Sequence, residues 1–368
     1  MSDRLDSALR QGPWKIRSGF TLLELLVSMV VLVGIIAIIF SMTQQTSKLW
    51  KNTSGKIEGF TNARSAFDAM TRTISQATLN TYYDYADSSG NWVVSSTGTL
   101  SGSPPATYAR RSDLHFICGQ ANTPPSGSPT GLLSLTGSWT PITHCIFFQA
   151  PLGKSALYST QQKLLNACGF YLVYGPDPSV PNFLPSSSAN RYRYRLMEFL
   201  QPSESLTVYS TGAATTRGTS NYHWFTDPIV TTPDANSNFV LAENIIALII
   251  WPKLSKGDQA AGGNLTTNYS YDSEQLGVSY NQLPPIVEVT MVAIDEASAL
   301  KLGNTSTPPN AALGLTQSGT PLFTTSSESP NQLEADLTTM ETQLTASHVN
   351  FRVFQTEVAI SGAKWTTN

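Results

Sequence analysis

Apolar and polar positions divide the chain into three regions with different periodicities. Residues 20–40 form an almost unbroken apolar run in which Glu24 is the single charged side chain. Over residues 42–77, apolar side chains recur at spacings of three, four and seven, which is typical of one face of an amphipathic helix. From residue 80 onwards the pattern changes to short apolar runs separated by polar segments.

The first two regions predict one long helix. Residues 14–103 contain no proline, so nothing in the sequence forces the helix to stop before the pattern itself ends. We therefore predict a helix over residues 20–78, membrane-spanning over 20–40 and amphipathic over 41–79. Gly55 and Gly59 weaken the helix locally, so the alternative prediction is a separate helix after a break at residues 55–59.

The apolar run has the length of a membrane span. At about 1.5 Å per residue, residues 20–40 extend roughly 31 Å as a helix, which matches the hydrocarbon core of a bilayer. Residues 1–19 carry more basic than acidic side chains, so this end is expected in the cytoplasm. An ionised Glu24 costs at least ~2.5 kcal/mol in lipid, so it needs either a partner or a route to the interface.

The third region predicts an α+β fold in which the long N-terminal helix packs on an antiparallel β-sheet head. A segment at residues 333–344 has a helical pattern, and we expect residues 238–251 to form a central strand and residues 351–360 to close the sheet. The predicted strands are 113–118, 143–149, 169–174, 192–200, 238–251, 285–295 and 351–360. The predicted loops, rich in Gly, Ser, Pro and Thr, are 88–107, 123–137, 177–189, 210–220 and 303–329.

Composition indicates an exported, loop-rich protein. Charged residues make up 13% of the 368 residues, about half the usual share, and no basic patch with aromatic neighbours indicates nucleic acid. Cys118, Cys145 and Cys168 are too few for a disulfide scaffold; they are either small buried side chains or one disulfide with a free thiol.

The sequence contains no recognisable catalytic or phosphate-binding motif, and we expect no enzyme activity, cofactor or metal. His115 and His144 lie near Cys118 and Cys145, but neighbouring strands often produce such coincidences. Acidic loops around Asp84 and Asp87, and around Asp272 and Glu274, are weak calcium candidates. The alternation of residues 191–195 (Arg-Tyr-Arg-Tyr-Arg) predicts a strand with three cations on one face, solvated or binding a polyanion, and core tyrosines on the other.

The segment 19–24 (Gly-Phe-Thr-Leu-Leu-Glu) resembles the cleavage and methylation motif of type IV prepilins and type II secretion pseudopilins. The family motif has glycine, then phenylalanine, then glutamate fifth after the cut, followed by an apolar helix. This resemblance implies a leader over 1–19, a head over 80–368, and cleavage between Gly19 and Phe20 by a prepilin peptidase that also methylates the new amine.

The resemblance also implies how subunits associate. Glu24 of one subunit would neutralise the Phe20 amine of its neighbour, and Leu23 and Leu25 would lie in the assembling helix. The implied partners are prepilin peptidase, other pilin or pseudopilin subunits through the N-terminal helix, and a bacterial inner membrane. The chain would pass that membrane once, with its head periplasmic or extracellular. Gly34 and Ser28 offer small surfaces for helix contact.

The order of helix and strands is similar to the larger minor subunits, the J-type of type II secretion and the W-type minor pilins. Residues 268–273 and 289–296 also resemble the prepilin-type cassette proteins of Verrucomicrobia, type C. A tip or priming role in a filament is therefore expected. The alternatives are a surface adhesin or substrate-recruiting module anchored by a pilin helix, and an envelope enzyme held by an uncleaved signal-anchor in which Glu24 snorkels.

Overall fold

The structure is a computed structural model. It describes Gly19 and residues 21–94, 100, 102–122, 132–133, 135, 139–158, 161–177, 191–209, 217–231, 237–260, 265–327 and 331–366. The chain divides into two compact units, Met1–Ser54 and Gly55–Asn368.

The predicted long helix is present as α1 (Leu22–Ile74). It begins later and ends earlier than the predicted range 20–78, and the alternative with a break at residues 55–59 is wrong because α1 continues through them. Within the second unit the apolar stripe is buried only near the end of the helix. Ile57 is exposed, whereas the later stripe members are buried: Ala63, Phe67, Met70, Ile74 and Ala77.

The remaining described elements form antiparallel sheets with short helices, so the α+β fold class is confirmed. The strands are β1 (Tyr82–Ala86), β2 (Thr107–Arg111), β3 (Ile117–Gln120), β4 (Thr140–Ala150), β5 (Asn166–Gly175), β6 (Arg193–Gln201), β7 (Asn238–Glu243), β8 (Ile245–Lys253), β9 (Tyr271–Asp272), β10 (Ile286–Ile294), β11 (Thr316–Gln317), β12 (Thr320–Pro321) and β13 (Phe351–Ala359). The helices are α2 (His223–Thr226), α3 (Lys256–Ala260), α4 (Glu296–Lys301) and α5 (Gln332–Ala346).

Two sheets make up most of the head. One has six strands in the order β7-β6-β5-β4-β3-β9, and the other has three in the order β13-β10-β8. The pairs β1–β2 and β11–β12 are separate two-stranded ribbons. Each predicted strand and the predicted helix 333–344 overlaps an observed element, although the strand predicted at 113–118 begins only at Ile117.

The prediction of one central strand over residues 238–251 is wrong. The chain turns at Asn244, whose φ of 60° lies in the left-handed region that asparagine tolerates better than most residues. This turn separates β7, an outer strand of the six-stranded sheet, from β8, an outer strand of the three-stranded sheet. The strand predicted to close the sheet, β13, is likewise an outer strand, and β10 occupies the centre.

The six-stranded sheet is buried on both faces, and its strands alternate between two apolar cores. In β4, Ile146 and Phe148 belong to the larger core, whereas Cys145 and Phe147 belong to the smaller one. The larger core also contains side chains of β8, β10, α5 and the end of α1, so this face of the sheet is covered by the second sheet and by helices. The smaller core is covered by Trp224 and other side chains of the α2 region.

Gly169 in β5 provides a test of this packing. A β-carbon at this position would overlap the Phe147 ring and lie 2.6 Å from the carbonyl oxygen of Ile146. Phe147 is fully buried and stacks on Phe225 with ring centroids 4.3 Å apart, so the ring has no space to retreat. We expect Gly169→Ala to lower the unfolding free energy by about 2–3 kcal/mol, the cost of overpacking.

The measurement is the denaturant midpoint of the full chain in detergent, followed by tryptophan fluorescence. The matched control is Gly119→Ala in β3, where the nearest atom to an added β-carbon is the Ser270 hydroxyl oxygen at 3.3 Å. We expect the control to change the midpoint little. Equal midpoints for the two variants would contradict the packing described for β5.

Candidate functional site

The residues that resemble a processing motif lie where α1 begins. Gly19 is exposed, and Thr21 directly precedes the first helical residue. Phe20, the predicted first residue of the mature chain, and residues 1–18 of the predicted leader lie outside the described residues. Processing between Gly19 and Phe20 remains a prediction.

Glu24 participates in capping the first turn of α1. Its backbone N–H donates to Oγ1 of Thr21 at 3.3 Å. Thr21 is therefore the N-cap residue and Glu24 the third helical residue, the spacing of a capping box. The carboxylate also lies near the positive end of the helix dipole. The sequence prediction missed this structural role, although the Thr-x-x-Glu spacing signals it.

Capping does not by itself account for a carboxylate in an apolar helix. A cap contributes about 1 kcal/mol and the dipole about as much at most. The cap hydrogen bond uses the backbone N–H of Glu24 and not its carboxylate, so only the dipole offsets part of the ~2.5 kcal/mol or more that an ionised carboxylate costs in lipid. Within a bilayer, Glu24 therefore needs either a partner or a route to the interface.

The apolar part of α1 presents its side chains to the surroundings. Leu23 and Leu25 are exposed, as are the other large apolar side chains up to Phe40. By length and composition, α1 is the one helix in the described chain that could cross a membrane. Ser28, the only hydroxyl in this part, donates to the Glu24 carbonyl at 2.7 Å, which satisfies it without water. Gly34 leaves open space beside the helix.

A buried polar cluster lies elsewhere, in the head. The Nε2 atom of His115 is 2.8 Å from Oδ1 of Asp272, whose Oδ2 accepts a 2.6 Å hydrogen bond from the Ser220 hydroxyl. On the other side of the ring, Nδ1 is 3.1 Å from the Trp224 indole nitrogen and 3.8 Å from Oε2 of Glu274. Because Asp272 lies between the serine and the histidine, the imidazole does not contact the hydroxyl, and this is not the order of groups in a Ser-His-Asp triad.

The cluster raises the pKa of the His115 imidazole. Burial lowers the pKa of this imidazole, but the carboxylates of Glu274 and Asp272 outweigh burial and raise it to about 9. The indole N–H of Trp224 donates to Nδ1 of His115 and so disfavours protonation of that nitrogen. The carbonyl oxygen of Asn221 lies 3.2 Å from the same Nδ1 atom and favours its protonation. His115 therefore bridges β3, β9 and the α2 region electrostatically.

His144 has the opposite behaviour. It lies in a bulge of β4, where Nδ1 accepts from the Ile250 N–H at 3.0 Å and Nε2 donates to the Phe323 carbonyl at 2.8 Å. Because the ring is fully buried, its pKa falls to about 4, and the neutral tautomer connects β4 to the outer edge of β8. His115 and His144 thus serve separate structural roles.

The cysteines and the predicted calcium loops also have structural explanations. Cys118, Cys145 and Cys168 are free and buried, which confirms the first of the two predicted alternatives, and burial raises the pKa of each thiol. Asp84 pairs with Arg111, and Asp87 accepts from two backbone N–H groups of its own turn. Over the described residues, no group of three or more His, Cys, Asp or Glu is placed to hold a metal ion.

The arginine–tyrosine alternation has the predicted two faces, but its arginines are not solvated. Tyr194 is in the larger core and Tyr192 packs against it. Arg195 is 1% exposed. Its guanidinium pairs with Asp177, and its Nε atom lies 3.2 Å from Oε1 of Glu243. Arg193, also buried, lies 3.3 Å from Glu296. The Arg191 side chain is 42% exposed but lies 3.1 Å from Glu243. Because all three cations are paired with carboxylates and two of them are buried, the prediction of a solvated cationic face is wrong, and the polyanion alternative loses most of its available charge.

Comparison of the chain with protein-family profiles, with curated proteins and with solved structures finds no match. The chain is therefore characterised by its own residues: an apolar helix that could span a membrane, one acidic side chain in its first turn, and an α+β head of antiparallel sheets.

Proposed function

We propose that the chain is a minor pilin-like or pseudopilin-like subunit. In this proposal a prepilin peptidase cuts after Gly19, and the mature chain assembles through α1 into a type IV pilus-like or type II secretion filament. In this proposal the α+β head lies at the tip or takes part in priming. The role is mechanical and not catalytic.

One observation carries the proposal. Glu24 is the only charged residue in the exposed apolar segment of α1, and it lies in the first turn of the helix, five residues after the exposed Gly19. Cleavage after Gly19 would create an amine at Phe20, four residues from this carboxylate. In a medium of low dielectric, such a pair between neighbouring subunits is strong, whereas either charge alone is costly.

The proposed location follows from the same helix. A segment of this length and composition would hold the mature protein in the bacterial inner membrane as a single span. The basic leader would keep the N-terminus cytoplasmic, and the head would be periplasmic or extracellular. Assembly would then draw α1 from the membrane into the filament, where neighbouring helices replace lipid around its exposed leucines.

N-terminal analysis tests the proposal directly. The full chain is produced in a host that carries a prepilin peptidase, extracted from membranes, and analysed by intact mass and terminal sequencing. We expect the protein to begin at Phe20 with a methylated amine. Gly19→Ala, which removes the glycine of the motif, is the blocking variant and is expected to retain the leader. A wild-type protein that still begins at Met1 would refute the proposal.

A further inference from the structure

The ribbon formed by β1 and β2 has one buried and one exposed face. On the buried face, Ala86 packs with Trp92 and Tyr280 in a small separate core. On the opposite face, Tyr83 and Tyr85 lie two residues apart in β1, and Tyr108 of β2 pairs directly with Tyr85. The same face therefore carries three tyrosines in adjacent positions.

The three rings form a continuous strip. Tyr108 lies between the other two, with ring centroids 5.3 Å from Tyr83 at an interplanar angle of 24° and 5.1 Å from Tyr85 at 45°. Asp84, the acid in β1, is on the opposite side of the ribbon and pairs with Arg111. The strip itself carries no charge, and Arg110 is the one cation on this face of the ribbon.

These rings are unusually accessible for aromatic side chains. Tyr83, Tyr85 and Tyr108 are 57%, 55% and 63% exposed. With ~200 Å² for each ring, roughly 350 Å² of aromatic surface is left in water. A patch of this size on a single chain often marks a binding site. No described residue forms a hydrogen bond with any of the three phenolic hydroxyls, so all three are available to a ligand.

We propose that Tyr83, Tyr85 and Tyr108 bind the sugar rings of a neutral polysaccharide. The C–H face of a pyranose ring is apolar and stacks on an aromatic ring, while its hydroxyl groups point outward at the edges. Sugar units would pack on the ring faces and edges that the strip leaves in water, and the phenolic hydroxyls would bind the hydroxyl groups at the rim. This ligand goes beyond the proposed role in filament assembly.

The area of the strip favours a sugar chain over a protein. A stable protein partner typically covers ~800 Å² on each side. The strip provides less than half of that area, which suits a few sugar units. An acidic polymer is less suited because uncharged rings line the strip and only one cation accompanies them.

Affinity electrophoresis tests the proposal with the full chain. The protein is kept in a polyoxyethylene detergent, because a maltoside headgroup would compete, and run in native gels containing hydroxyethylcellulose, laminarin, xylan or dextran. We expect at least one of these neutral polymers to retard the wild-type protein. Tyr108→Ala should weaken the interaction at least tenfold, because Tyr108 contacts both neighbours, whereas Tyr108→Phe, which keeps the ring, should retain most of it.

Tyr158→Ala is the matched control, since Tyr158 is 56% exposed in a different part of the head. Its retardation should equal that of the wild type. Tyr83→Ala provides a second variant if Tyr108→Ala fails to fold.

Absence of retardation by all four polymers, or unchanged retardation of both alanine variants, would overturn the proposal. So would a dimer that is lost in Tyr108→Ala, since the strip would then bind a second copy. Retardation of the protein does not require cleavage after Gly19. A failure of the sugar-binding proposal can therefore be distinguished from a failure of the proposed function.

Discussion

Glu24→Ala is expected to produce a protein that is cleaved and methylated normally but is at least tenfold depleted from filaments. The physical reason is the amine that cleavage creates at Phe20. When Glu24 is removed, that amine enters an apolar environment without a counter-charge, which costs about 3–5 kcal/mol for a buried pair. The measurement compares the variant and the wild type in sheared filament fractions and in the membrane fraction.

Glu24→Gln separates the proposed ion pair from the capping role. Glutamine at the third helical position still supports the capping box with Thr21, so a structural role alone predicts normal assembly. The ion pair predicts the same depletion for Gln as for Ala. Thr21→Ala, which removes the cap and keeps the charge, should assemble nearly normally.

The matched control for these variants is Glu58→Ala, since Glu58 is an exposed acid on the same helix outside the apolar segment. It should assemble like the wild type. Normal incorporation of Glu24→Gln would mean that the carboxylate is not needed as a charge, and the assembly mechanism would have to be abandoned.

Much of the fold could be predicted from the sequence because its signals are local. The helix period, the absence of proline and the apolar runs of β4, β5, β6 and β10 each identify an element without knowledge of its neighbours. The turn at Asn244 could not be predicted in this way. Residues 238–251 end in a nearly continuous apolar run and were predicted as one strand, whereas the packing of two sheets requires the chain to leave one sheet and enter the other at Asn244.

Side-chain partners were harder to predict than elements. The motif around Glu24 is contiguous, so its capping geometry was encoded within four residues. In contrast, His115 contacts Asp272, which is 157 positions away in the sequence, and Arg195 contacts Glu243, which is 48 positions away. Sequence spacing carries no information about such pairs. For this reason the arginines of β6 were predicted as solvated cations, whereas the fold buries them against carboxylates.

The unfolding free energy of the full chain is expected to peak near pH 6.5 and to fall on both sides. Below that pH, the unfolded chain protonates His144 at its ordinary pKa of 6.5, whereas the folded chain keeps it neutral down to about 4. Stability is therefore lost as the pH falls from 6.5 to 4, by up to about 3 kcal/mol from this residue. The pKa of Asp272, lowered by His115, adds a loss in stronger acid.

The alkaline side of the profile belongs to His115. Its folded pKa of about 9 exceeds the unfolded value of 6.5, so its contribution is complete below pH 6.5 and is lost as the pH rises to 9. The loss of unfolding free energy is again up to about 3 kcal/mol. Burial raises the pKa of Glu274, so this carboxyl competes with His115 for the same proton. Denaturant unfolding in detergent, repeated from pH 4 to pH 9, measures the profile.

Three histidine-to-glutamine variants assign the two limbs. Glutamine at position 144 can still accept from Ile250 and donate to Phe323 but cannot titrate, so His144→Gln should flatten the acid limb and leave the alkaline limb. His115→Gln should do the reverse. His223→Gln, at a side chain that is 70% exposed, should change neither. An unchanged acid limb in His144→Gln would assign that limb to carboxylates, and an unchanged alkaline limb in His115→Gln would place the shared proton on Glu274.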